Sequence, residues 1–405
     1  MTRVAMFVTS TLVHDNRVRR EAETIAAAGN EVTVFSHIAP TNVARLGWEA
    51  GSGLRAVPVP RVDFRGKRQP ARAWAAAVNL WRWGGGQNLW KAARPYGAGI
   101  YHAHDLDTLA VAAWLAQRDG ARLVYDSHEL FLAQMDLGPD APVMTWRQRV
   151  RLQLLRHNWA RFERALISRA GTLITVSQSI ADELVSLYDI RPPVVILNTP
   201  RYCDLSTRSL TLRQRLGLAT EQRIILAQGN MMPGRGLLEL VASLALLPEH
   251  YQLVFLGFNL GNYQAEIRGE VGRLGLDARV HALDALPPEQ LLDASASADV
   301  GVVLLTPTNR NSLLALPNKL FEYMMAGLPF VANDLPEVGK VARKTGAGLT
   351  VPAITPEAIA AGLREVLENP ARWHTMRQSA LDAARNEYNW EQQTGRLLEA
   401  YCNIT

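Results

Sequence analysis

The chain has 405 residues, of which 48% are hydrophobic and 20% are charged, and its formal net charge is +5. This length predicts two domains, each large enough for its own core, and the composition is ordinary for a globular protein rather than a disordered or fibrous one. The mild basic excess fits phosphorylated ligands or an anionic membrane surface, and it is too small to indicate nucleic acid binding.

Cysteine usage and hydropathy exclude several further classes. Cys203 and Cys402 lie far apart in sequence and match neither a zinc pattern nor a disulfide framework. The apolar run from Val4 to Thr9 is too short for a signal peptide and predicts a first strand. The sequence has no apolar run of about 20 residues. We therefore expect a cytoplasmic protein without a membrane span.

The N-terminal half alternates predicted strands with predicted helices. Helices are indicated at residues 16–28, closed by Gly29, and at residues 109–117. Alternation of this kind predicts a parallel sheet with helices on both faces. The predicted strands are residues 4–9, 31–36, 100–103, 123–125, 173–176 and 194–197.

The C-terminal half repeats the same order of elements after a boundary between Asn198 and Leu210. Helices are predicted at residues 237–247 and 390–401. Two doubly wound domains in series would face a central cleft, with ligands at the carboxyl ends of the strands. The predicted strands are residues 224–227, 252–256, 300–305 and 329–332.

The segment from Leu316 to Pro336 carries the clearest functional signal. Pro317 suits the first position of a short helix that ends near Gly327. Lys319 is then a cation in the first turn, where the helix dipole disfavours it unless an anion lies nearby. A helix N-terminus with a lysine predicts a phosphate site. The alternative is a surface ion pair between Lys319 and Glu322, three residues apart.

A strand, a glycine-rich loop and a helix follow one another around Gly229. Glycine lets a backbone approach a phosphate closely, and Arg235 adds charge where the next helix starts. The loop matches neither the dinucleotide-binding fingerprint nor a Walker sequence. Together with Lys319 it suits a diphosphate. After the next strand, the segment containing Gly257 and Asn259 could hold a nucleoside base.

Charged residues also follow the first predicted strand. Asp15 or Asn16 can cap the next helix. Three arginines, Arg17, Arg19 and Arg20, crowd its first turn against the dipole. Either one of them faces an anion, or they form a solvated basic face.

Two histidines with carboxylates follow later strands. His104 precedes Asp105 and Asp107, an Asp-x-Asp pattern that is similar to a metal motif but more often serves as a cap and turn. His128 lies between carboxylates at another strand end, where it could serve acid–base or substrate-binding work or be structural.

Together these residues resemble retaining GT-B glycosyltransferases, especially glycosyltransferase family 4. The resemblance implies an α/β fold of two Rossmann-like domains and transfer of a hexosyl group from a UDP- or GDP-sugar to a hydroxyl, with retention and without a metal or other cofactor. The motifs that carry the resemblance are residues 15–22, 102–109, 125–130, 175–177, 229–236 and 317–329.

The resemblance also implies a division of labour along the chain. Residues 1–200 would bind the acceptor and residues 201–387 the nucleotide sugar, with a helix at about 388–405 packing back onto the first domain. His128 and Asp15 take the catalytic positions. Acceptor contacts fall on Arg17, His104 and Asp105. Donor contacts fall on Gly229, Asn230, Arg235, Gly257, Asn318, Lys319, Leu320 and Glu322.

Two departures from the family pattern stand out. Glu322 matches the second glutamate of the Glu-x7-Glu motif, which binds ribose hydroxyls, but Leu314 stands where the first is expected. The usual arginine after the first loop glycine is Asn230, whose missing charge Lys319 could supply. Replacements for the first glutamate could come from Asn309, Arg310, Asn311 or Ser312.

Two basic segments rich in tryptophan, residues 61–94 and 145–169, suggest peripheral contact with an anionic membrane at its inner face. The alternative is that their tryptophans are core and their arginines solvated. The acceptor could be a sugar, a lipid-linked molecule or a small molecule, in glycan, glycolipid or metabolite biosynthesis. Other readings of the fold are a sugar-nucleotide epimerase, or an inactive binding subunit favoured by Leu314.

Overall fold

The computed structural model describes residues 1–49, 51–60, 86–135, 144–204, 212–257 and 263–404. Backbone contacts divide the chain into two compact units, which we call the first unit (Met1–Leu197 with Gln393–Thr405) and the second unit (Asn198–Gln392). Most of the basic segment predicted at residues 61–94 lies outside the described residues, as does Asn259 with its expected base contact.

Among its described residues, the first unit contains seven strands, all paired in parallel. They are β1 (Arg3–Phe7), β2 (Glu31–Ser36), β3 (Leu54–Pro58), β4 (Ile100–His104), β5 (Arg122–Ser127), β6 (Thr172–Thr175) and β7 (Val194–Val195). The order is β3-β2-β1-β4-β5-β6-β7, which reverses direction between β1 and β4. Such a reversal opens a crevice at the carboxyl ends of the strands.

The helices of the first unit follow the strands as predicted. Asp15 caps the first of them by accepting a hydrogen bond from the Val18 amide. Two short 3-10 helices, Pro40–Leu46 and Phe131–Met135, complete the unit. The α-helices are α1 (Asn16–Ala27), α2 (Gly86–Ala93), α3 (Leu106–Asp119), α4 (Trp146–Ile167) and α5 (Gln178–Tyr188).

The described part of the second unit contains six parallel strands. They are β8 (Arg223–Gln228), β9 (Tyr251–Leu256), β10 (Val280–Leu283), β11 (Val300–Val303), β12 (Phe330–Asn333) and β13 (Gly348–Val351). Their order, β10-β9-β8-β11-β12-β13, is the dinucleotide-binding arrangement with its reversal between β8 and β11. Both units are therefore doubly wound α/β domains, which confirms the predicted fold class.

Helices cover the second sheet, and the chain ends on a further helix. The helix after Pro317 has an apolar side that is buried, formed by Leu320, Phe321, Met324 and Met325. The helices are α6 (Leu212–Leu216), α7 (Leu237–Leu244), α8 (Tyr263–Arg273), α9 (Pro288–Ala296), α10 (Arg310–Leu313), α11 (Asn318–Met325), α12 (Pro336–Thr345), α13 (Pro356–Leu367), α14 (Pro370–Asn386) and α15 (Trp390–Cys402).

The C-terminal end of α15 is bonded within the first unit. The Tyr401 hydroxyl lies 2.6 Å from His102 Nδ1 on β4. The Thr172 hydroxyl on β6 donates to the Ala400 carbonyl at 3.2 Å. Both contacts join residues more than 200 positions apart in sequence, so the end of this helix is attached to β4 and β6 of the first sheet.

Several predicted boundaries are wrong by a few residues. Helix α3 begins at Leu106 rather than Leu109, directly after Asp105, whose φ of 62° turns the chain. Pro317 is the extended residue before α11 rather than its first helical residue. These shifts occur where a turn, rather than apolar periodicity, sets the end of an element. No helix in the described part of the chain is both long and apolar enough to cross a membrane.

Candidate functional site

Two glycines hold the strand ends of the second unit against each other. Gly229 follows β8 with a φ of 100°, and its amide donates to the Leu256 carbonyl at 2.8 Å. A Cβ on Gly257 would lie only 1.9 Å from the Gly229 carbonyl oxygen, so no other residue fits there. The two backbones therefore meet beside the reversal of strand order, where ligands of such sheets bind.

Lys319 reaches this glycine pair from the first turn of α11. A Cβ built on Gly229 would lie 3.8 Å from Lys319 Cε and 4.0 Å from its Nζ. Burial and the positive charge of Arg235 together lower the pKa of Lys319 to about 8, although Glu322 acts in the opposite direction. Two cations thus lie near one helix N-terminus, an arrangement that an anion would stabilise. We call Lys319 and Arg235 the cation cluster.

Glu322 is held from the side of β8. The Gln228 side-chain amide, at the end of that strand, donates to Glu322 Oε2 at 2.6 Å, and Gln228 is 1% exposed. The spacing of Lys319 and Glu322 in the sequence allowed a solvent-exposed ion pair. In the structure both residues are partly buried instead. In the sequence, Gln228 is marked only as a polar residue at the end of an apolar strand, which does not reveal its contact with Glu322.

Two groups of residues with predicted donor contacts make hydrogen bonds within the chain. Leu320 is fully buried and its amide donates to the Pro317 carbonyl at 3.1 Å. Asn309 and Ser312 cap α10 reciprocally, with the Ser312 amide donating to Asn309 Oδ1 at 2.8 Å. Leu314 is 5% exposed, and donor contacts by these residues stay predictions.

The other predicted donor residues lie at the loop surface. Asn318 and Asn230 are exposed, while Arg235, Arg310 and Asn311 are partly or fully accessible. The glycine-rich loop is bonded to the segment that follows β11, because the Thr306 amide donates to the Gly234 carbonyl at 2.9 Å.

A second cluster lies at the strand ends of the first unit. Arg17 is 2% exposed and donates to both oxygens of Asp126, from Nε at 2.8 Å and from Nη2 at 2.9 Å. Its third nitrogen donates to the Ile196 carbonyl at 2.7 Å, and Glu21 lies 3.0 Å from Nε. Internal partners therefore occupy the Arg17 guanidinium, and its contact with an acceptor stays a prediction.

His128 lies at the accessible edge of this cluster. Its Nδ1 is 3.2 Å from Asp105 and its Nε2 is 3.0 Å from Asp126. Burial opposes charge on the ring, yet the Asp105 and Asp126 carboxylates outweigh it and hold the pKa of His128 well above its ordinary value. The side chain remains 19% exposed. His128 is therefore a charged hydrogen-bond donor rather than a free base.

Asp105 adopts a backbone conformation that side-chain-bearing residues rarely occupy, with φ 62° and ψ 166°. Conformations of this kind cost about 1–3 kcal/mol and persist where the surroundings enforce them. Here the carboxylate of Asp105 accepts from the His128 amide at 2.9 Å and faces its ring. The strained backbone therefore places the group that keeps His128 charged.

His104 lies behind His128 and is fully buried, with Nδ1 3.2 Å from His128 Nε2. Its ring stacks on that of His102 at 4.2 Å, and burial lowers the pKa of both histidines. The His104 ring does not reach the surface, and its contact with an acceptor stays a prediction. We call Arg17, Glu21, His104, Asp126 and His128 the charge network.

Three members of this network, together with the neighbouring His102, have the composition of a metal centre. Ligand atoms of Glu21, His102, His104 and Asp126 lie within 4.8 Å of one another. However, the Arg17 guanidinium already contacts both carboxylates, at 3.0 Å and 2.8 Å. A divalent cation would have to share these oxygens with an existing buried cation, which the short separation disfavours.

Comparison with protein families agrees with this geometry. Residues 15–199 match the glycosyl transferase 4-like domain, and residues 209–386 match glycosyl transferases group 1. Both clusters fall inside these two regions. The chain belongs to the GT-B glycosyltransferases of the family 4 type.

The curated relatives of this chain share about a quarter of their residues with it over the matched stretches. A D-inositol 3-phosphate glycosyltransferase from Xylanimonas cellulosilytica is 27% identical over 254 residues, covering 60% of this chain and 59% of that protein. One from Catenulispora acidiphila is 25% identical over 319 residues, covering 75% and 71%. The matched stretch thus spans about six tenths of the first relative's length.

Solved GT-B structures share the fold over the full chain. A sucrose-phosphate synthase from Thermosynechococcus elongatus has a TM-score of 0.75 at 19% identity, covering 100% of this chain and 99% of its own. HepE from Anabaena, determined in complex with UDP-glucose, has a TM-score of 0.74 at 15% identity and covers both chains fully. At these identities the likeness shows the fold alone.

Proposed function

We propose that this chain transfers a hexosyl group from a UDP- or GDP-sugar to a hydroxyl acceptor, with retention of the anomeric configuration and without a metal. The observation that carries the proposal is the cation cluster beside Gly229. Burial and like charge lower the pKa of Lys319 to about 8, so an anionic ligand that relieves this repulsion is favoured. A diphosphate is the anion that suits two cations at a helix N-terminus.

Each residue that we propose to bind the nucleotide sugar then has a role. Lys319 and Arg235 neutralise the leaving diphosphate, which is electrostatic stabilisation of developing charge. Glu322 accepts from ribose hydroxyls. Gly229 and Gly257 let the backbone approach the nucleotide. HepE, which was determined in complex with UDP-glucose, supports the donor class. The relatives named as D-inositol 3-phosphate glycosyltransferases support the transfer of a glycosyl group.

His128 assists by its positive charge, because both of its ring nitrogens face carboxylates and its raised pKa makes proton abstraction by this ring unfavourable. The acceptor proton would instead leave with a phosphate oxygen on the same face, which accounts for retention. Asp15 caps α1 and is the other proposed catalytic residue. Catalysis then rests on positioning and charge stabilisation.

The test is a calorimetric titration and a turnover assay with UDP- and GDP-sugars, with NMR of the product to read the anomeric configuration. We expect Arg235→Ala to weaken nucleotide diphosphate binding about 10- to 100-fold with a nearly unchanged melting temperature. Arg343→Ala is the matched control, since Arg343 is 61% exposed and paired with Asp334 in the same unit. A folded protein with no affinity for any nucleotide sugar would contradict the proposal.

An inactive binding subunit is the second candidate, and the buried Leu314 in place of a motif acid favours it. Slow hydrolysis of a bound nucleotide sugar without acceptor separates the two candidates. A catalytic subunit releases the nucleotide over hours, whereas a binding subunit returns the donor intact. A C2-epimerised donor would point instead to the third candidate, a sugar-nucleotide epimerase.

We also propose that α4 contacts an anionic membrane at its inner face, which would place the chain near lipid-linked acceptors. Trp146, Val150 and Leu154 recur every four residues and are 70%, 44% and 54% exposed. Spacing of four residues puts them on one face of a helix. The opposite face is buried through Trp159 and Leu166.

Arginines flank this exposed apolar face, and α4 carries Arg147, Arg149, Arg151, Arg156, Arg161 and Arg164. An apolar stripe bordered by arginines fits the boundary between lipid headgroups and acyl chains. We expect co-sedimentation with vesicles that contain phosphatidylglycerol and none with phosphatidylcholine alone. Leu154→Ser with Trp146→Ser should abolish it, and retained binding by this double variant would contradict the membrane role.

A further inference from the structure

A buried hydrogen-bonded chain in the second unit leads to the carboxylate of Glu322. Its middle member is Gln228, which ends β8 and is 1% exposed. The amide nitrogen of Gln228 donates to Glu322 Oε2 at 2.6 Å. A hydrogen bond to a charged carboxylate is stronger than one between neutral groups, so this contact restricts how the carboxylate can rotate.

The other end of the Gln228 side chain is fixed by Ser295 on α9. Ser295 is fully buried, and its hydroxyl lies 2.6 Å from Gln228 Oε1 and 2.7 Å from the Leu291 carbonyl. An ionised carboxylate only accepts hydrogen bonds, so the amide nitrogen must face Glu322 and the amide oxygen must face Ser295. The Ser295 hydroxyl then donates to that oxygen. The amide cannot turn over without losing its bond to Glu322, because its oxygen would then face the carboxylate.

The backbone of Gln228 is held as well. Its amide donates to the Tyr323 hydroxyl at 3.3 Å, and that hydroxyl donates to the Leu226 carbonyl at 3.1 Å. Tyr323 is itself confined, because a Cβ on Gly301 would lie 2.6 Å from its ring. Residues from α9 and α11 thus hold Gln228 through both its side chain and its backbone.

We propose that the Ser295–Gln228 pair positions the Glu322 carboxylate for the ribose hydroxyls of the nucleotide and so sets discrimination between ribonucleotides and deoxyribonucleotides. This inference rests on the proposed function, in which Glu322 is the ribose contact. A carboxylate has acceptor capacity for several donors, so a bond from Gln228 is compatible with bonds from ribose. Gln228 is a positioning residue, since it acts through Glu322.

The readout is a ratio of dissociation constants, measured by calorimetry for the 3′-deoxy and the ordinary nucleoside diphosphate. The base is uracil or guanine, whichever diphosphate the wild type binds. We expect Glu322→Gln to lower this ratio, and Gln228→Leu to lower it about tenfold towards the same value. Ser295→Ala should lower it less. The ratio isolates the ribose contact because both nucleotides carry the same diphosphate.

Gln252→Leu is the matched control. Gln252 is 2% exposed on the neighbouring strand β9 and bonds to His281 Nε2 at 2.9 Å. Loss of this buried amide should lower stability as much as Gln228→Leu does and leave the ratio unchanged. An equal fall of the ratio in both variants would overturn the proposal, since it would mean that loss of any buried amide in this sheet lowers the ratio.

A second variant guards against misfolding of Gln228→Leu. In Gln228→Glu the new carboxyl faces Glu322 and can donate only when it is protonated, which adjacent carboxylates favour at acidic pH. The ratio should be low at about pH 8 and recover towards the wild-type value at about pH 5.5. A ratio independent of pH contradicts the proposal.

The outcomes for the two proposals are distinguishable. A wild type that binds neither UDP nor GDP removes the proposed function, and the inference with it, before any variant is made. A wild type that discriminates, with discrimination lost in Glu322→Gln and kept in Gln228→Leu, overturns the positioning role alone and leaves the proposed function standing.

Discussion

The charge network of the first unit and the cation cluster of the second differ in how their charges are balanced. In the network, Arg17 is bonded to both oxygens of Asp126, and His128 lies between two carboxylates. In the cluster, the main charge acting on Lys319 is the like charge of Arg235. The network is satisfied from within the chain, whereas the cluster gains from an anion supplied from outside. Burial of charge thus serves stability in one region and ligand binding in the other.

Breaking the network should give the largest effect on stability. Arg17→Met leaves Asp126, which is fully buried, without its bidentate partner. Removing one member of a buried pair costs about 3–5 kcal/mol, so we expect a loss of that size in the free energy of unfolding. Urea denaturation of wild type and variant measures it.

The control for this experiment is Arg118→Met in the same unit. Arg118 is 41% exposed and pairs with its neighbour Asp119, so its loss should cost less than about 1 kcal/mol. Similar costs for the two arginines would mean that the network does not stabilise the first unit in the way its geometry indicates.

Breaking the cluster should change binding rather than stability. Lys319→Met removes one of two mutually repelling cations, so we expect the melting temperature to hold or rise. Affinity for the nucleoside diphosphate should fall about 10- to 100-fold, the loss of a charge-assisted contact. Thermal denaturation and calorimetry of the same samples check both parts, and a fall in melting temperature with intact affinity would reverse the roles assigned here.

The pH dependence of binding sharpens the same contrast. Burial and Arg235 lower the pKa of Lys319 to about 8, so the amine is charged below that pH and neutral above it. Affinity for a diphosphate should therefore weaken as the pH rises through about 8, by at most about tenfold per pH unit. Lys319→Arg keeps its charge throughout and should lose this dependence. An identical pH profile for wild type and variant would assign the titration to another group.

The smallest effect is expected inside the network at Glu21. Burial, followed by the negative charge of Asp126, raises the pKa of Glu21 to about 8, so the carboxyl is mostly protonated at neutral pH. Glu21→Gln therefore replaces a neutral group by one of similar shape and should change the free energy of unfolding by less than about 1 kcal/mol. A cost as large as that of Arg17→Met would show that Glu21 is ionised in the folded protein.

The sequence predicted the fold well because the signals for it are local. Apolar runs, capping residues and glycines at strand ends mark each strand and helix, and Gly229 and Gly257 fall where two backbones touch. A candidate site in the second unit could also be proposed, since Lys319 stands in the first turn of one helix and Arg235 directly before the cap of another. Local signals were enough wherever the role of a residue depends only on the helix, strand or turn that contains it.

Partnerships across the fold could not be predicted. Arg17 and Asp126 are 109 positions apart, and only the order of the strands brings them together. An arginine in a first helical turn therefore looked like a ligand contact. Gln228 lies 94 positions from Glu322 and 67 from Ser295, so its role was hidden for the same reason.

The central claim is that the cation cluster of the second unit binds a nucleoside diphosphate. Calorimetric titration of the unmodified chain with UDP and with GDP at pH 7 tests it most directly, because neither nucleotide needs the acceptor. We predict saturable binding of one of them, at one site per chain. No heat of binding from either nucleotide, from a chain that unfolds cooperatively, would contradict the account.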